Sequence, residues 1–122
     1  MVTRKILIVE DEEAVRTLFV RLLEREGYEP IPVRNAQEAL SMLNRDAVDL
    51  ILLDLHMPGS VSGEDLLFML RDKGDQIPII VVSGWVDDES TLNKPNCVHA
   101  VLKKPVHADN FLETVQQALS ST

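Results

Sequence analysis

Short apolar runs alternating with amphipathic segments predict an α/β domain of (βα)5 type, a doubly wound parallel sheet in the strand order 2-1-3-4-5. Three observations carry this expectation. Lys5-Ile6-Leu7-Ile8-Val9, Asp49-Leu50-Ile51-Leu52-Leu53 and Ile77-Pro78-Ile79-Ile80-Val81-Val82 are nearly unbroken runs of Ile, Leu and Val, which suit strands covered on both faces. Two weaker runs, Glu29 to Val33 and Val98 to Leu102, complete a set of five, with helical patterns between them. In the second run Pro30 and Pro32 alternate with Ile31 and Val33, and proline cannot donate to a ladder, so this strand belongs on an edge. Strands 1 and 3 are then central neighbours, and the ligand crevice lies at their carboxyl ends.

The helices follow in order. Val15, Leu18, Phe19, Leu22 and Leu23 form one apolar stripe, ended by Gly27. Ala36, Ala39, Leu40 and Leu43 repeat the spacing, with Asn35 and Glu38 placed as a capping-box-like start. Leu66, Met69 and Leu70 mark a third helix, with Ser62 as its cap, and Leu112, Val115 and Leu119 mark the last. A segment near Asp88 to Asn93 is a short, poor helix, with Leu92 its only large apolar residue and Pro95 just beyond.

Composition narrows the function classes. A chain of 122 residues holds one domain, taken as residues 1–122, and needs neither metal nor disulfide to fold. With 45% apolar and 26% charged residues it is ordinary globular material. Cys97 is the one cysteine and reads as a small apolar residue, and the start of the chain runs into a strand instead of a signal peptide. No apolar run approaches the roughly 20 residues of a membrane span, so a cytoplasmic domain without membrane contact is expected. A net charge of −8 without any Lys/Arg cluster argues against direct nucleic-acid binding.

The residues following each strand are polar. Glu10-Asp11 follow strand 1, Asp54 follows strand 3, Ser83 strand 4, and Lys104-Pro105 strand 5, all on one rim of the sheet. Converging carboxylates raise one another's pKa unless a positive charge compensates. A hard divalent cation with oxygen ligands, Mg2+, fits that need and leaves coordination for a phosphate. Lys104 adds a compact ammonium and Ser83 a hydroxyl. These are the parts of phosphoryl transfer to a carboxylate: a nucleophile, charge neutralisation and a donor.

Taken together, Ile8-Val9-Glu10-Asp11, Leu52-Leu53-Asp54-Leu55-His56-Met57-Pro58-Gly59, Val81-Val82-Ser83-Gly84 and Lys103-Lys104-Pro105 resemble the receiver domain of two-component response regulators, a flavodoxin-like (CheY-like) fold, over nearly the whole chain. The resemblance implies that Asp54 is the phospho-acceptor. It makes Asp11 and Glu10 the acidic metal pair and the backbone carbonyl of His56 a further ligand for Mg2+. Ser83 takes the place of the Ser/Thr that moves toward the phosphoryl group, and Lys104 is the ion-pairing lysine before a cis proline. It also implies a histidine kinase or histidine phosphotransfer protein as donor, a downstream protein or output domain as reader, and a signalling domain instead of a turnover enzyme. Four departures stand out. Glu10 occupies a position where Asp is commoner, Val101 the usual aromatic position, the Pro58 to Gly63 loop is one residue longer, and the fourth helix is short.

Rival readings fit less well. An aspartyl phosphohydrolase places a second Asp where His56 stands and needs a substrate cap. A flavoprotein wants a phosphate loop where Glu10-Asp11-Glu12-Glu13 would repel phosphate. A nucleotide switch needs a Gly-x-x-x-x-Gly-Lys-Ser/Thr loop, which is missing. A receiver fold used only as a binding module would not need the full acid and lysine set. His56, His99 and His107 lack zinc-ligand spacing. The resemblance also implies that His56 and Trp85, each two residues past a site residue, stand where acyl-phosphate lifetime is influenced.

Overall fold

The computed structural model describes residues 3–55, 63–72, 77–84 and 98–120. Along these the chain runs β1 (Lys5–Val9), α1 (Glu13–Arg25), β2 (Glu29–Val33), α2 (Ala36–Arg45), β3 (Leu50–Asp54), α3 (Gly63–Asp72), β4 (Ile79–Ser83), β5 (Val98–Lys103) and α4 (Ala108–Ser120). The strands form one parallel sheet in the order β2-β1-β3-β4-β5, as expected. The expected helix near residues 88–93, with Ser62, Trp85 and Cys97, lies outside the described residues.

The unbroken apolar runs are explained by two cores, because successive side chains of a strand point to opposite faces. Leu7, Val9, Ile51 and Leu53 pack on one side with Ala36 and Ala39 of α2 and Leu66, Leu67 and Leu70 of α3. Ile6, Ile8, Leu50 and Leu52 pack on the other with Phe19, Leu22 and Leu23 of α1 and Phe111, Val115 and Leu119 of α4. On that second face the rings of Phe19 and Phe111 stack with centroids 4.6 Å apart and planes 7° from parallel, locking α1 to α4.

Edge strand β2 shows why its prolines are tolerated. Glu29 N–H donates to Arg4 O at 2.9 Å, and Val33 O accepts from Glu10 N–H at 3.2 Å. Residues 29, 31 and 33 therefore face β1, and the alternate positions of Pro30 and Pro32 face away from the sheet. The prolines delete two donors that would otherwise lie open on the edge. At the start of the central strands, Asp49 Oδ2 accepts from Lys5 N–H at 2.8 Å while Asp49 N–H donates to Lys5 O at 2.8 Å. That reciprocal pair sets the β1–β3 register from its first step.

Helix ends follow local chemistry. Gly27 sits at φ 85°, and the bonds Tyr28 N–H to Leu23 O and Gly27 N–H to Glu24 O, both 3.1 Å, close α1 in a Schellman turn. Asn35 caps α2, its side chain accepting from Glu38 N–H at 2.8 Å. The return bond of Glu38 goes one residue further back than a capping box requires, accepting from Arg34 N–H at 2.8 Å. Two expected core positions are corrected. Leu18 is 46% exposed and Met69 41% exposed. In α3 the buried set is Leu66, Leu67 and Leu70, because 67 and 70 share a face that 69 leaves.

Phe111 has no exposure and its ring faces Phe19. Phe111→Ala is expected to cost about 3–5 kcal/mol, the range for truncating a buried aromatic, with the fold retained; urea unfolding followed by far-UV circular dichroism measures it.

Candidate functional site

Parallel register brings the acids together. Val9 pairs with Leu53 across β1 and β3, so one step further along each strand sets Glu10 beside Asp54. Both are almost without access to water, at 1% and 3% exposure, whereas Asp11 is half-buried. One carboxylate oxygen from each of Glu10, Asp11 and Asp54 lies within 4.8 Å of the others. Ser83 ends β4 in register with Lys103, one step past Val82, the partner of Asp54. His56 lies outside the described residues.

Lys104 follows β5, and its peptide to Pro105 is cis. Its Nζ lies 3.1 Å from Glu10 Oε1, 3.4 Å from Glu12 Oε1 and 3.5 Å from Asp54 Oδ2. Lys104, not the exposed Lys103, therefore reaches the acids. Burial pulls the Lys104 ammonium down, but Asp54, Glu10 and Glu12 together outweigh it and leave its pKa raised. Glu10 is pushed from an ordinary 4.5 up to about 7, first by burial and then by the neighbouring charge of Asp54.

Glu10 is anchored on one oxygen only. Glu12 N–H donates to its Oε2 at 3.1 Å. Oε1 is buried and makes no aligned hydrogen bond among the described residues, the approach of Lys104 being an ion pair alone. A buried, unsatisfied oxygen beside two further carboxylates fits a hard cation, for which such oxygens are the preferred ligands.

Three residues of this site escaped sequence reasoning. Glu12 shares Lys104 with the two buried acids. Arg16 turns back from α1, its Nη1 donating to Glu10 O at 2.9 Å and Asp11 O at 3.3 Å. Gly63 opens α3 against the end of β3, where a Cβ would stand 2.5 Å from Asp54 O and 2.5 Å from Leu55 Cα. An acid and an arginine in a charged helix carry no sequence signal for these contacts. The glycine had a faint one, as the last residue of the Pro58 to Gly63 stretch that the sequence marks as a loop. Val101, at the usual aromatic position, is half-buried against the α2–α3 core and pairs with Val81.

A sequence model of the family described as response regulator receiver domain matches residues 6–116. The chain belongs to that family. The polar-differentiation response regulator DivK of Brucella anthropi is 36% identical to this receiver over 120 residues, covering 95% of the chain and 96% of DivK. Among solved structures, response regulator TrrA of Thermotoga maritima, in complex with Mg(2+)-BeF, superposes with a TM-score of 0.86 at 31% identity, over 96% of this chain and all of that one. A CheY-like receiver domain protein of Methanospirillum hungatei reaches 0.89 at 28% identity, over 98% and 96%. The receiver is thus a two-component signalling domain of flavodoxin-like fold. Among the described residues, no helix is long and apolar enough to cross a membrane.

Two measurements test the geometry. Because Glu10 binds its proton more tightly folded than unfolded, the folded state holds more protons between pH 4.5 and about 7. Stability of the metal-free receiver is therefore expected to fall as pH rises through that window. Urea midpoints in EDTA across the range check this, and Glu10→Gln should flatten the slope. Gly63→Ala, which in an open helix would gain up to about 1 kcal/mol, is expected instead to lose about 1–3 kcal/mol through forced overlap with the β3 backbone. A higher urea midpoint for that variant would contradict the close approach.

Proposed function

We propose that this receiver is a phospho-acceptor switch, one domain over residues 1–122, in which Asp54 takes a phosphoryl group from a phosphohistidine of a sensor kinase or phosphotransfer protein. The observation that supports it most is a nearly inaccessible Asp54 with Glu10 and Asp11 oxygens within 4.8 Å and the Lys104 ammonium 3.5 Å from Oδ2. An Asp54 oxygen attacks phosphorus as the P–N bond breaks, and its electron pair returns to the donor imidazole. Lys104 already sits among three carboxylates, so it balances charge as the acyl phosphate forms. Water later attacks the acyl phosphate, releasing inorganic phosphate and restoring the Asp54 carboxylate.

Glu10, Asp11, Asp54 and the His56 carbonyl are the residues that would hold Mg2+, which when bound supplies charge neutralisation of the phosphoryl oxygens. Ser83, at the end of β4, is assigned the hydroxyl that turns toward the new phosphoryl group. The resulting change is a shift between conformations the domain already visits, read by a downstream protein or attached output domain. The chain acts on its own aspartate and is not a turnover enzyme.

Intact-protein mass spectrometry after incubation with acetyl phosphate, with and without Mg2+, tests this reading. One added phosphoryl group that requires Mg2+ and is absent from Asp54→Asn is the expected result. If neither acetyl phosphate nor a phosphorylated histidine donor labels the protein, the acceptor role fails and a phosphorylation-independent binding module replaces it.

A further inference from the structure

We propose that Arg16 is a positioning residue for the acidic site, holding the turn between β1 and α1 from its carbonyl side and thereby aiming the carboxylate of Glu10. The inference rests on the reading of Glu10 as a metal-binding acid, and it concerns how that acid is held.

Arg16 lies in the first turn of α1, with its own N–H donating to Glu12 O at 2.9 Å. Its guanidinium doubles back to the residues before the helix, and Nη1 supplies both bonds, to Glu10 O and Asp11 O. These are charge-assisted hydrogen bonds, the stronger class. The Asp11 carbonyl and the Glu12 N–H belong to one planar peptide unit. That unit is gripped at both ends, its oxygen by Arg16 and its N–H by Glu10 Oε2 at 3.1 Å. Rotating the peptide to release one end would break the other.

The consequence falls on Glu10. Its N–H is bound to Val33 O, its C=O to Arg16 and its Oε2 to the gripped peptide. The remaining oxygen, Oε1, is buried without a hydrogen bond and faces Lys104 at 3.1 Å. A glutamate has one more rotatable bond than an aspartate, so a longer acid at this position needs more restraint to present an oxygen in one place. Glu12, the N-cap residue of α1, makes no side-chain capping hydrogen bond. Among the described residues, the arginine is therefore the α1 side chain that bonds back to the carbonyls of the turn.

Two measurements on the full chain decide it. Isothermal titration calorimetry with Mg2+ alone compares wild type, Arg16→Met and Arg16→Lys. Hydrogen exchange of the Glu12 amide, followed by NMR in EDTA, asks whether the peptide is released when no metal is present. Arg16→Met is expected to weaken Mg2+ binding about 10–100-fold, as loss of an outer partner of a ligand does. It should also speed Glu12 exchange while Leu22 and Leu23 in the α1 core stay protected. Arg16→Lys, which keeps a shorter cation, should fall between.

Unchanged Mg2+ affinity in Arg16→Met, or unchanged Glu12 exchange, overturns the proposal. Uniform loss of protection along α1 in both variants also overturns it, because the arginine would then support the helix and not the turn. If wild type itself binds no Mg2+, the metal reading of the site fails, and the exchange measurement alone still judges whether Arg16 holds the peptide.

Discussion

Two carboxylates with almost no access to water, Glu10 and Asp54, end up side by side because β1 and β3 are parallel neighbours in register, and each must be tolerated at the other's expense. Their repulsion and burial push Glu10 up to about 7. Against them stands the Lys104 ammonium, reaching over from the sheet edge to touch both, with Glu12 as a third, exposed partner. Among the described residues, Glu10, Glu12 and Asp54 share this one ammonium. Sites of perturbed acids are where function tends to sit, and the Glu10 oxygen left without a hydrogen bond marks where more positive charge is wanted.

The two cores make that arrangement possible. Strands β1 and β3 are sealed on both faces, so their ends cannot drift apart to relieve the repulsion without disturbing α1 and α4 on one side or α2 and α3 on the other. Backbone devices then refine what the cores hold. Gly63 lets α3 begin in contact with the peptide of Asp54, and Arg16 and Glu12 N–H restrain the turn after β1. The site thus sits on strand ends and helix starts, rigid elements against which a bound or transferred group can be read.

Much of the fold is legible in the sequence. Strand order followed from the buried runs and the two prolines of β2, and Gly27 ended α1 where the apolar stripe stopped. Local chemistry is strong at such positions because a missing N–H or a positive φ admits few residues. Helix faces were less legible. Leu18 and Met69 belong to the right period but lie at the margin of their stripes, where the curvature of the packed surface decides burial.

For the site, the sequence by itself determined which chemistry is present: acids after the first and third strands and a lysine before a proline after the fifth. It also determined that these groups share one rim, since strand order dictates which ends are adjacent. Only the tertiary structure decided how they are held. It chose which oxygen of Glu10 is bonded, how Lys104 is shared among three acids, and that Arg16 and Gly63 belong to the site at all. The sharing of Lys104 depends on distances of a few ångströms between segments far apart in the chain, and the bonds of Glu10 and Arg16 depend on a turn whose shape the packed strand and helix fix. A one-dimensional pattern has no term for such distances, whereas periodicity and turn chemistry are written into neighbouring residues.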